Sequence, residues 1–197
     1  MGRIIVTEFV SLDGVMEAPG GGEDFQRGGW TLDVDQGEDG AKFKLDETLD
    51  AEAVLLGRVT YERFAAAWPS QEGEFADRFN AMPKYVVSST LQDPQWTNST
   101  VLNGDVVEEA AKLRQNRDGD IVVHGSARLV QTLVEHDLVD ELRLMVFPVV
   151  VGAGKHLFGD TGGMKRLRLV DARTVGDGVA ILVYRPAGED TTAADSS

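Results

Sequence analysis

The 197-residue sequence contains no cysteine, which excludes disulfides, thiolate metal ligands and cysteine nucleophiles. It also lacks long hydrophobic runs: those at 146–151 and 179–183 are far too short to span a bilayer. No signal-peptide pattern follows Met1. We therefore expect a cytoplasmic protein that makes no membrane contact.

Basic residues are scarce, with 19 Lys and Arg against 33 Asp and Glu and a formal net charge of −14. A nucleic-acid binder needs a basic face that neutralises phosphates, so we expect no nucleic-acid partner. A small phosphorylated ligand stays open, because arginines are present locally at positions 58 and 128. The three histidines show no metal-ligand spacing, and we predict no metal site.

What the sequence does contain is typical of one globular domain. Hydrophobic residues make up 42% of the chain, and the length allows a substantial core. Residues 187–197 are small, polar and acidic, and we expect them to form a disordered tail. The predicted domain therefore spans residues 1–186.

Short apolar runs alternate with helical patterns along this domain, and two strands joined by a glycine turn close it. This order predicts an α/β fold with three α/β/α layers, a mostly parallel central sheet and a C-terminal antiparallel hairpin. The predicted strands are 3–10, 53–56, 85–87, 100–102, 121–123, 142–151, 167–175 and 179–184, and the strand 142–151 is broken at Pro148. The predicted helices are 41–49, 60–67, 75–82, 105–113 and 128–135.

Small, polar or cationic residues follow four of the predicted strands, at 13–14, 57–60, 88–90 and 125–128. In open α/β sheets, ligands bind at the carboxyl ends of strands. Two of these turns open helices, whose free N–H groups and dipole favour an anion. Neither turn has the pattern of a Walker loop or a dinucleotide fingerprint, so the residues alone predict a phosphorylated ligand without naming it.

Several motifs resemble a known family. The segment 55–62, Leu-Leu-Gly-Arg-Val-Thr-Tyr-Glu, resembles the Gly-Arg-x-Thr-aromatic-Glu segment of the dihydrofolate reductase superfamily, and 121–128 resembles its glycine turn. The Ser-Leu-Asp-Gly of 11–14, with 138–142 and 148–155, is similar to the C-terminal reductase domain of riboflavin biosynthesis. The resemblance extends over almost the whole chain and implies a stand-alone member of that family.

The resemblance implies an oxidoreductase with NADPH lying across the carboxyl edge of the sheet. Its substrate would be a small heteroaromatic or aminouracil-like molecule, as for the 5-amino-6-(5-phosphoribosylamino)uracil reductase. Family members often form homodimers, and Leu142–Phe147 is one candidate interface. The implied cofactor-binding residues are Gly57, Arg58 and Thr60 for phosphates, Ser88 and Ser89 for the ribose 2′-phosphate, and Gly125, Ser126, Ala127 and Arg128 for the pyrophosphate.

On the substrate side the candidates are Asp13, Gly14 and Trp30. Dihydrofolate reductases have a carboxylate before the Gly-Arg-x-Thr strand, but the corresponding position here is near Ala41. Asp13 is therefore the candidate catalytic residue, either orienting the substrate or helping to protonate it. The alternative is a turn aspartate that bonds the backbone. His124, in an apolar strand, is expected to be a core histidine rather than an acid or a ligand.

Two other classes of function stay open. One is a non-catalytic nucleotide-binding or regulatory module with the same fold. The other is a dimeric scaffold that binds no cofactor. Direct NADPH binding measured beside NADPH oxidation distinguishes the three hypotheses.

Overall fold

The computed structural model describes residues 1–22 and 24–188. Its strands are β1 Arg3–Ser11, β2 Ala51–Gly57, β3 Lys84–Val87, β4 Ser99–Leu102, β5 Asp120–Val123, β6 Glu141–Phe147, β7 Leu167–Val175 and β8 Val179–Pro186. Its α-helices are α1 Gly37–Asp50, α2 Arg58–Ala67, α3 Glu74–Ala81, α4 Val106–Gln115 and α5 Ala127–Glu135. All but the first two residues of the predicted tail lie outside the described residues.

The strands form a single sheet in the order β4-β3-β2-β5-β1-β6-β8-β7. The six strands from β4 to β6 run parallel, and β8 and β7 are antiparallel to their neighbours. This topology confirms the predicted α/β class, the mostly parallel sheet and the C-terminal hairpin.

The central strands of the sheet are buried on both faces, which makes three layers. Ile4 and Val6 of β1 pack towards α4 and α5, whereas Ile5 between them packs towards α2 and α3. Because successive strand residues point to opposite faces, a strand covered on both sides reads as a continuous apolar run. Burial of each such side chain stabilises the fold by about 1.5–3 kcal/mol.

Local sequence signals set the helix boundaries. Asp105 caps α4, and its carboxylate accepts hydrogen bonds from the N–H groups of Val107 (3.0 Å) and Glu108 (3.1 Å). Helix α2 ends at Ala67, before Trp68 and Pro69, where the chain continues as a short 3₁₀ helix. The predicted start of α2 at residue 60 is two residues late, since the helix begins directly where β2 ends.

The expected strand 142–151 ends at its predicted break, and residues 149–151 do not continue it. Strand β6 ends at Phe147, because Pro148 has no N–H to donate and the Val149 N–H turns back to the Phe147 carbonyl at 2.8 Å. Strand β6 also pairs with β1 on one side and β8 on the other. Leu142–Phe147 is thus an interior strand that cannot pair edge to edge with a second copy, and the homodimer stays a prediction.

Membrane-spanning helices are absent from residues 1–22 and 24–188, since no helix there is both long and apolar enough.

Candidate functional site

The carboxyl ends of the parallel strands lie side by side along one edge of the sheet. Because the order is β3-β2-β5-β1-β6, the turns that follow these strands are neighbours in space. Ser88 follows β3, Arg58 follows β2, His124 follows β5, and Leu12 follows β1. The structure therefore brings most of the predicted site residues to a single edge.

The turns after β2 and β5 are joined by two hydrogen bonds. The Gly57 N–H donates to Ser126 Oγ at 2.9 Å, and the Ser126 N–H donates to Thr60 Oγ1 at 3.0 Å. Gly57 and Ser126 are the N-cap residues of α2 and α5; Gly57 has no side chain that could cap α2, and the Ser126 hydroxyl does not bond its own helix. Two helix N-termini are thus fixed next to each other, with N–H groups that side chains do not cap.

Gly125 gives this junction its shape. Its φ is +57°, and an added Cβ would lie 3.0 Å from Thr60 Cγ2. Ser126 follows with φ +62°, which is uncommon for a residue with a side chain. The turn therefore allows close approach only because glycine stands at 125.

Two arginines lie at these helix N-termini. Arg58 is exposed and pairs with Glu62, one turn further along α2, at 2.9 Å. An exposed pair of this kind contributes at most about 1 kcal/mol, so Arg58 can exchange Glu62 for an anion. Arg128 is exposed on the first turn of α5, next to Ala127, the first residue of that helix.

The two serines after β3 differ in their availability. Ser88 is buried, and its Oγ accepts hydrogen bonds from the N–H groups of Thr90 (3.1 Å) and Leu91 (2.9 Å). The Ser88 hydroxyl therefore holds its own turn. Ser89 is exposed at the same edge, so its hydroxyl is the more accessible one.

Asp13 connects the loop after β1 to the loop after β6. Its carboxylate accepts hydrogen bonds from the Ser11 hydroxyl (2.6 Å) and from the N–H groups of Val151 (3.0 Å) and Gly152 (2.7 Å). The Ser11 bond and then the two backbone bonds lower the pKa of Asp13 to about 2. The carboxylate is thus ionised and engaged at neutral pH, an arrangement that suits loop positioning and does not suit a proton donor.

Gly14 and Trp30 also belong to this end of the site. Gly14 has φ +81°, and its carbonyl accepts from the Leu157 N–H at 3.0 Å. Trp30 is buried, its indole N–H donates to the Glu17 carbonyl at 2.9 Å, and its ring meets Phe147 edge-on at 5.8 Å. Trp30 is therefore part of the core behind Phe147.

A cavity of about 540 Å³ opens beside Phe147. Its lining includes Phe9 of β1, residues 31–36 before α1, and Asp177 of the β7–β8 turn. A volume of this order is typical of small-molecule sites. The predicted substrate residues Asp13, Gly14 and Trp30 are not among its lining residues. Trp30 packs against the lining residue Phe147.

A buried polar group that was not predicted from the sequence lies beneath this edge. Glu8 of β1 is buried, and its Oε1 has no hydrogen-bond partner within the described part of the chain. Burial raises the pKa of Glu8 well above its usual range, although a backbone hydrogen bond from Gly125 and the Lys44 charge oppose the rise. Lys44 itself donates to Thr7 at 2.8 Å and pairs with buried Glu47. A charged residue inside an apolar strand was the signal that could have found Glu8.

His124 is half-buried at the end of β5, with its ring packed against the core. Its ring meets Phe79 edge-on at 5.6 Å, and burial lowers its pKa well below the usual range. Its Nε2 has no partner among the residues described. The imidazole is therefore neutral and not an acid at neutral pH.

Solved structures share this fold. A putative riboflavin biosynthesis protein from Shewanella sp. PV-4 superposes with a TM-score of 0.73 at 20% identity, over 93% of this chain and 98% of its own. Dihydrofolate reductase from Enterococcus faecalis, complexed with NADP(H), superposes with a TM-score of 0.61 at 13% identity, over 94% and 96%. The chain thus has a dihydrofolate reductase-like α/β fold.

The sequence comparisons specify the family. The RibD C-terminal domain family matches residues 3–181. The uncharacterized protein YyaP of Bacillus subtilis (strain 168) is 32% identical over 187 residues, 92% of this chain and 94% of YyaP. The chain belongs to the RibD C-terminal domain family.

Proposed function

We propose that the protein is an NADPH-dependent reductase of a small heteroaromatic or aminouracil-like molecule. The observation that supports this most is the junction of Gly57, Thr60 and Ser126, which fixes two uncapped helix N-termini side by side. Such N-termini favour phosphate groups through free N–H donors and the helix dipole. The bound NADP(H) of a reductase with the same fold supports the choice of cofactor.

The residues at the junction fit a pyrophosphate. Gly125, Ser126 and Ala127 would present backbone N–H groups, and Arg58 and Arg128 would add charge-assisted bonds. Thr60 would orient the turn through its bond to the Ser126 N–H. Ser89, exposed beside β3, is the hydroxyl that would meet a ribose 2′-phosphate, while Ser88 holds the turn. When bound, NADPH would supply the hydride.

One observation favours a second candidate, a nucleotide-binding module without turnover. Asp13, the residue expected to assist protonation, has a pKa of about 2 and is engaged in three hydrogen bonds. A reductase would then take its proton from another group or from water. Binding measured together with turnover separates the two candidates.

The test is calorimetric titration of NADPH into the wild type and into Arg58→Ala and Arg128→Ala. Each lost charge-assisted bond is worth about 1.5–3 kcal/mol, so each variant should bind NADPH at least about tenfold more weakly. Arg168→Ala is the matched control, because Arg168 is an exposed arginine on β7 at the far side of the sheet. Unchanged affinity in both site variants would contradict the phosphate assignment, and binding with no NADPH oxidation across candidate substrates would favour the module.

A further inference from the structure

A buried carboxyl group lies beneath the turn that follows β5. Glu8 is 6% exposed and belongs to β1, the strand that lies next to β5 in the sheet. The Gly125 N–H donates a hydrogen bond to this carboxyl group. The next N–H of the turn, that of Ser126, donates to Thr60 at 3.0 Å. Glu8 therefore holds from inside the protein the same turn that Thr60 holds from α2.

The apolar surroundings of Glu8 favour its neutral form. Its Oε1 has no hydrogen-bond partner within residues 1–22 and 24–188. Val6 and Val10, which lie on the same face of β1, belong to the apolar cluster that packs against α5. A carboxylate at this position loses its hydration without gaining enough donors in return, so the group keeps its proton. Burial accordingly raises the pKa of Glu8 well above its usual range.

Two charges on helix α1 act on Glu8, and they oppose each other. Lys44 lowers the pKa of Glu8, whereas Glu47 raises it. These two residues also pair with each other, so the Lys44 charge is already compensated. Helix α1 therefore contributes little that would stabilise an ionised Glu8.

Among the residues that the structure describes, the other neighbours of Glu8 provide no cation bonded to it. On β6 the residue opposite Glu8 is Leu144, and on β5 His124 is neutral because burial lowers its pKa. On α5, Glu135 accepts from a backbone N–H of the following loop at 3.0 Å, and Arg128 is exposed to solvent. The geometry thus leaves Glu8 as a neutral acceptor beneath the turn.

We propose that Glu8 is a positioning residue for the anion site at the junction of α2 and α5: its neutral carboxyl group holds the Gly125 turn, and an ionised Glu8 would repel a bound phosphate. A carboxylate would bind the Gly125 N–H more strongly than a neutral acceptor does, and this N–H would then be lost to the ligand. A negative charge in the protein interior also acts on an anion above it with little screening. NADPH affinity should therefore fall as the pH rises through the pKa of Glu8. This inference rests on the proposed function, in which NADPH is the anion.

The test is equilibrium titration of NADPH into the wild type over about pH 6 to 10, a range that includes the values at which buried glutamates titrate. We expect NADPH to bind at least about tenfold more weakly at the alkaline end, because a buried charge close to a phosphate has an effect of this size. A wild-type affinity that stays constant over this range would overturn the proposal.

Three variants assign the effect to Glu8. Glu8→Gln keeps an acceptor for the Gly125 N–H but cannot ionise, so it should lose most of the fall with pH. Glu8→Leu removes the acceptor and should bind NADPH about fivefold more weakly than Glu8→Gln at neutral pH. Glu52→Gln should keep the wild-type profile; it is the matched control, because Glu52 accepts from the Gly119 N–H at 2.7 Å at the amino end of β2.

A fall with pH that persists in Glu8→Gln, or equal affinities of the Gln and Leu variants, would overturn the assignment. Denaturant unfolding verifies that each variant is folded. The pH profile of Glu8→Gln decides alone if Glu8→Leu does not fold.

Inorganic sulfate separates this inference from the proposed cofactor, because sulfate keeps its charge over the same pH range. Sulfate binding with the expected dependence on pH and on the residue at position 8, without NADPH binding, would defeat the reductase proposal and leave the Glu8 inference in place. NADPH binding that is independent of both would do the reverse. If neither anion binds, both proposals are wrong.

Discussion

Buried ionisable side chains in this protein differ in whether their polar atoms have hydrogen-bond partners. Lys84 is fully buried, yet each of its three protons has an acceptor: the carbonyls of Asn80 (2.7 Å), Met82 (2.9 Å) and Thr97 (3.1 Å). The ring of Trp96 lies 4.3 Å from its Nζ. Glu8 is buried with one oxygen unpaired. Lys84 is thus a structural residue, whereas Glu8, beneath the binding edge, has a carboxyl oxygen that no described residue bonds.

Lys84 should make stability depend on pH in the alkaline range. Burial lowers its pKa from 10.5 to about 8, so between these values the unfolded chain binds more protons than the folded one. The free energy of unfolding should therefore rise with pH across that window, by about 3 kcal/mol, since each pKa unit corresponds to about 1.4 kcal/mol. Guanidinium unfolding at a series of pH values measures the slope.

The matched variants are Lys84→Met, which should flatten this slope, and Lys42→Met, which should keep it. Lys42 is exposed and pairs with Asp46 at 2.7 Å. A slope that persists in Lys84→Met would assign the titration to another group.

At the scale of elements, the turn after β5 should contribute both to the stability of the fold and to NADPH binding. Gly125→Ala places a side chain at φ +57° and a Cβ 3.0 Å from Thr60. We expect a loss of about 1–2 kcal/mol in the free energy of unfolding, together with weaker NADPH binding because Thr60 must shift. Chemical denaturation and calorimetric titration measure the two effects.

Gly57→Ala is the control for this substitution. Gly57 has φ −79°, and an added Cβ would meet nothing closer than 3.5 Å. Its stability should change by less than about 0.5 kcal/mol. Similar losses in the two variants would show that side-chain volume at the junction, rather than the backbone of Gly125, sets the cost.

The elements were largely predictable from sequence because their signals are local. The continuous apolar run of β1, the cap at Asp105 and the Trp68-Pro69 stop each act over a few residues, and each lies where predicted. The break at Pro148 was predicted, but the continuation of the strand to residue 151 was wrong, since apolar Val149 extends the pattern beyond the end of β6. Apolar character alone does not show where hydrogen-bond pairing stops.

The candidate site was predictable only in part, because its contacts are distant in sequence. The strand-end turns could be expected to share an edge, and the topology brings them there. That Ser126 bonds Gly57 and Thr60, or that Asp13 holds the loop at Val151, depends on partners 66 to 138 residues away. No local pattern encodes such pairs. The cavity beside Phe147 is likewise lined by residues that are distant in sequence, from Phe9 to Asp177.

At the scale of the whole molecule, the carboxyl and amino ends of the parallel strands have different roles. The predicted ligand groups lie at the carboxyl ends of the strands, and a network of ion pairs lies at the opposite edge. Glu141, buried at the start of β6, accepts from Arg143 at 2.7 Å and from Arg185 of β8 at 2.9 Å. Arg3 of β1 bonds Asp120 of β5 at 2.8 Å. These pairs tie β5, β1, β6 and β8 together without touching the ligand edge.

Glu141→Gln should therefore separate stability from binding. Burial opposes ionisation of Glu141, but hydrogen bonds from Arg143 and Arg185 outweigh it and lower its pKa. Removing the charge leaves Arg143, which is largely buried, with only its longer ion pairs to Glu47 at 3.8 Å and Asp120 at 3.9 Å. We expect the free energy of unfolding to fall by about 2–3 kcal/mol. The loss is smaller than for a fully buried pair, because Arg185 is half exposed and is solvated by water when Glu141 is uncharged.

NADPH affinity should be unchanged in Glu141→Gln, since the network lies at the far edge from the junction of Gly57 and Ser126. The wild type should also lose stability as the pH falls through the lowered pKa of Glu141, and the variant should lose less. Denaturant unfolding over acidic pH and an NADPH titration at neutral pH measure the two properties. Weaker NADPH binding at neutral pH, where the variant is still folded, would mean that the two edges are coupled through β1 and β5.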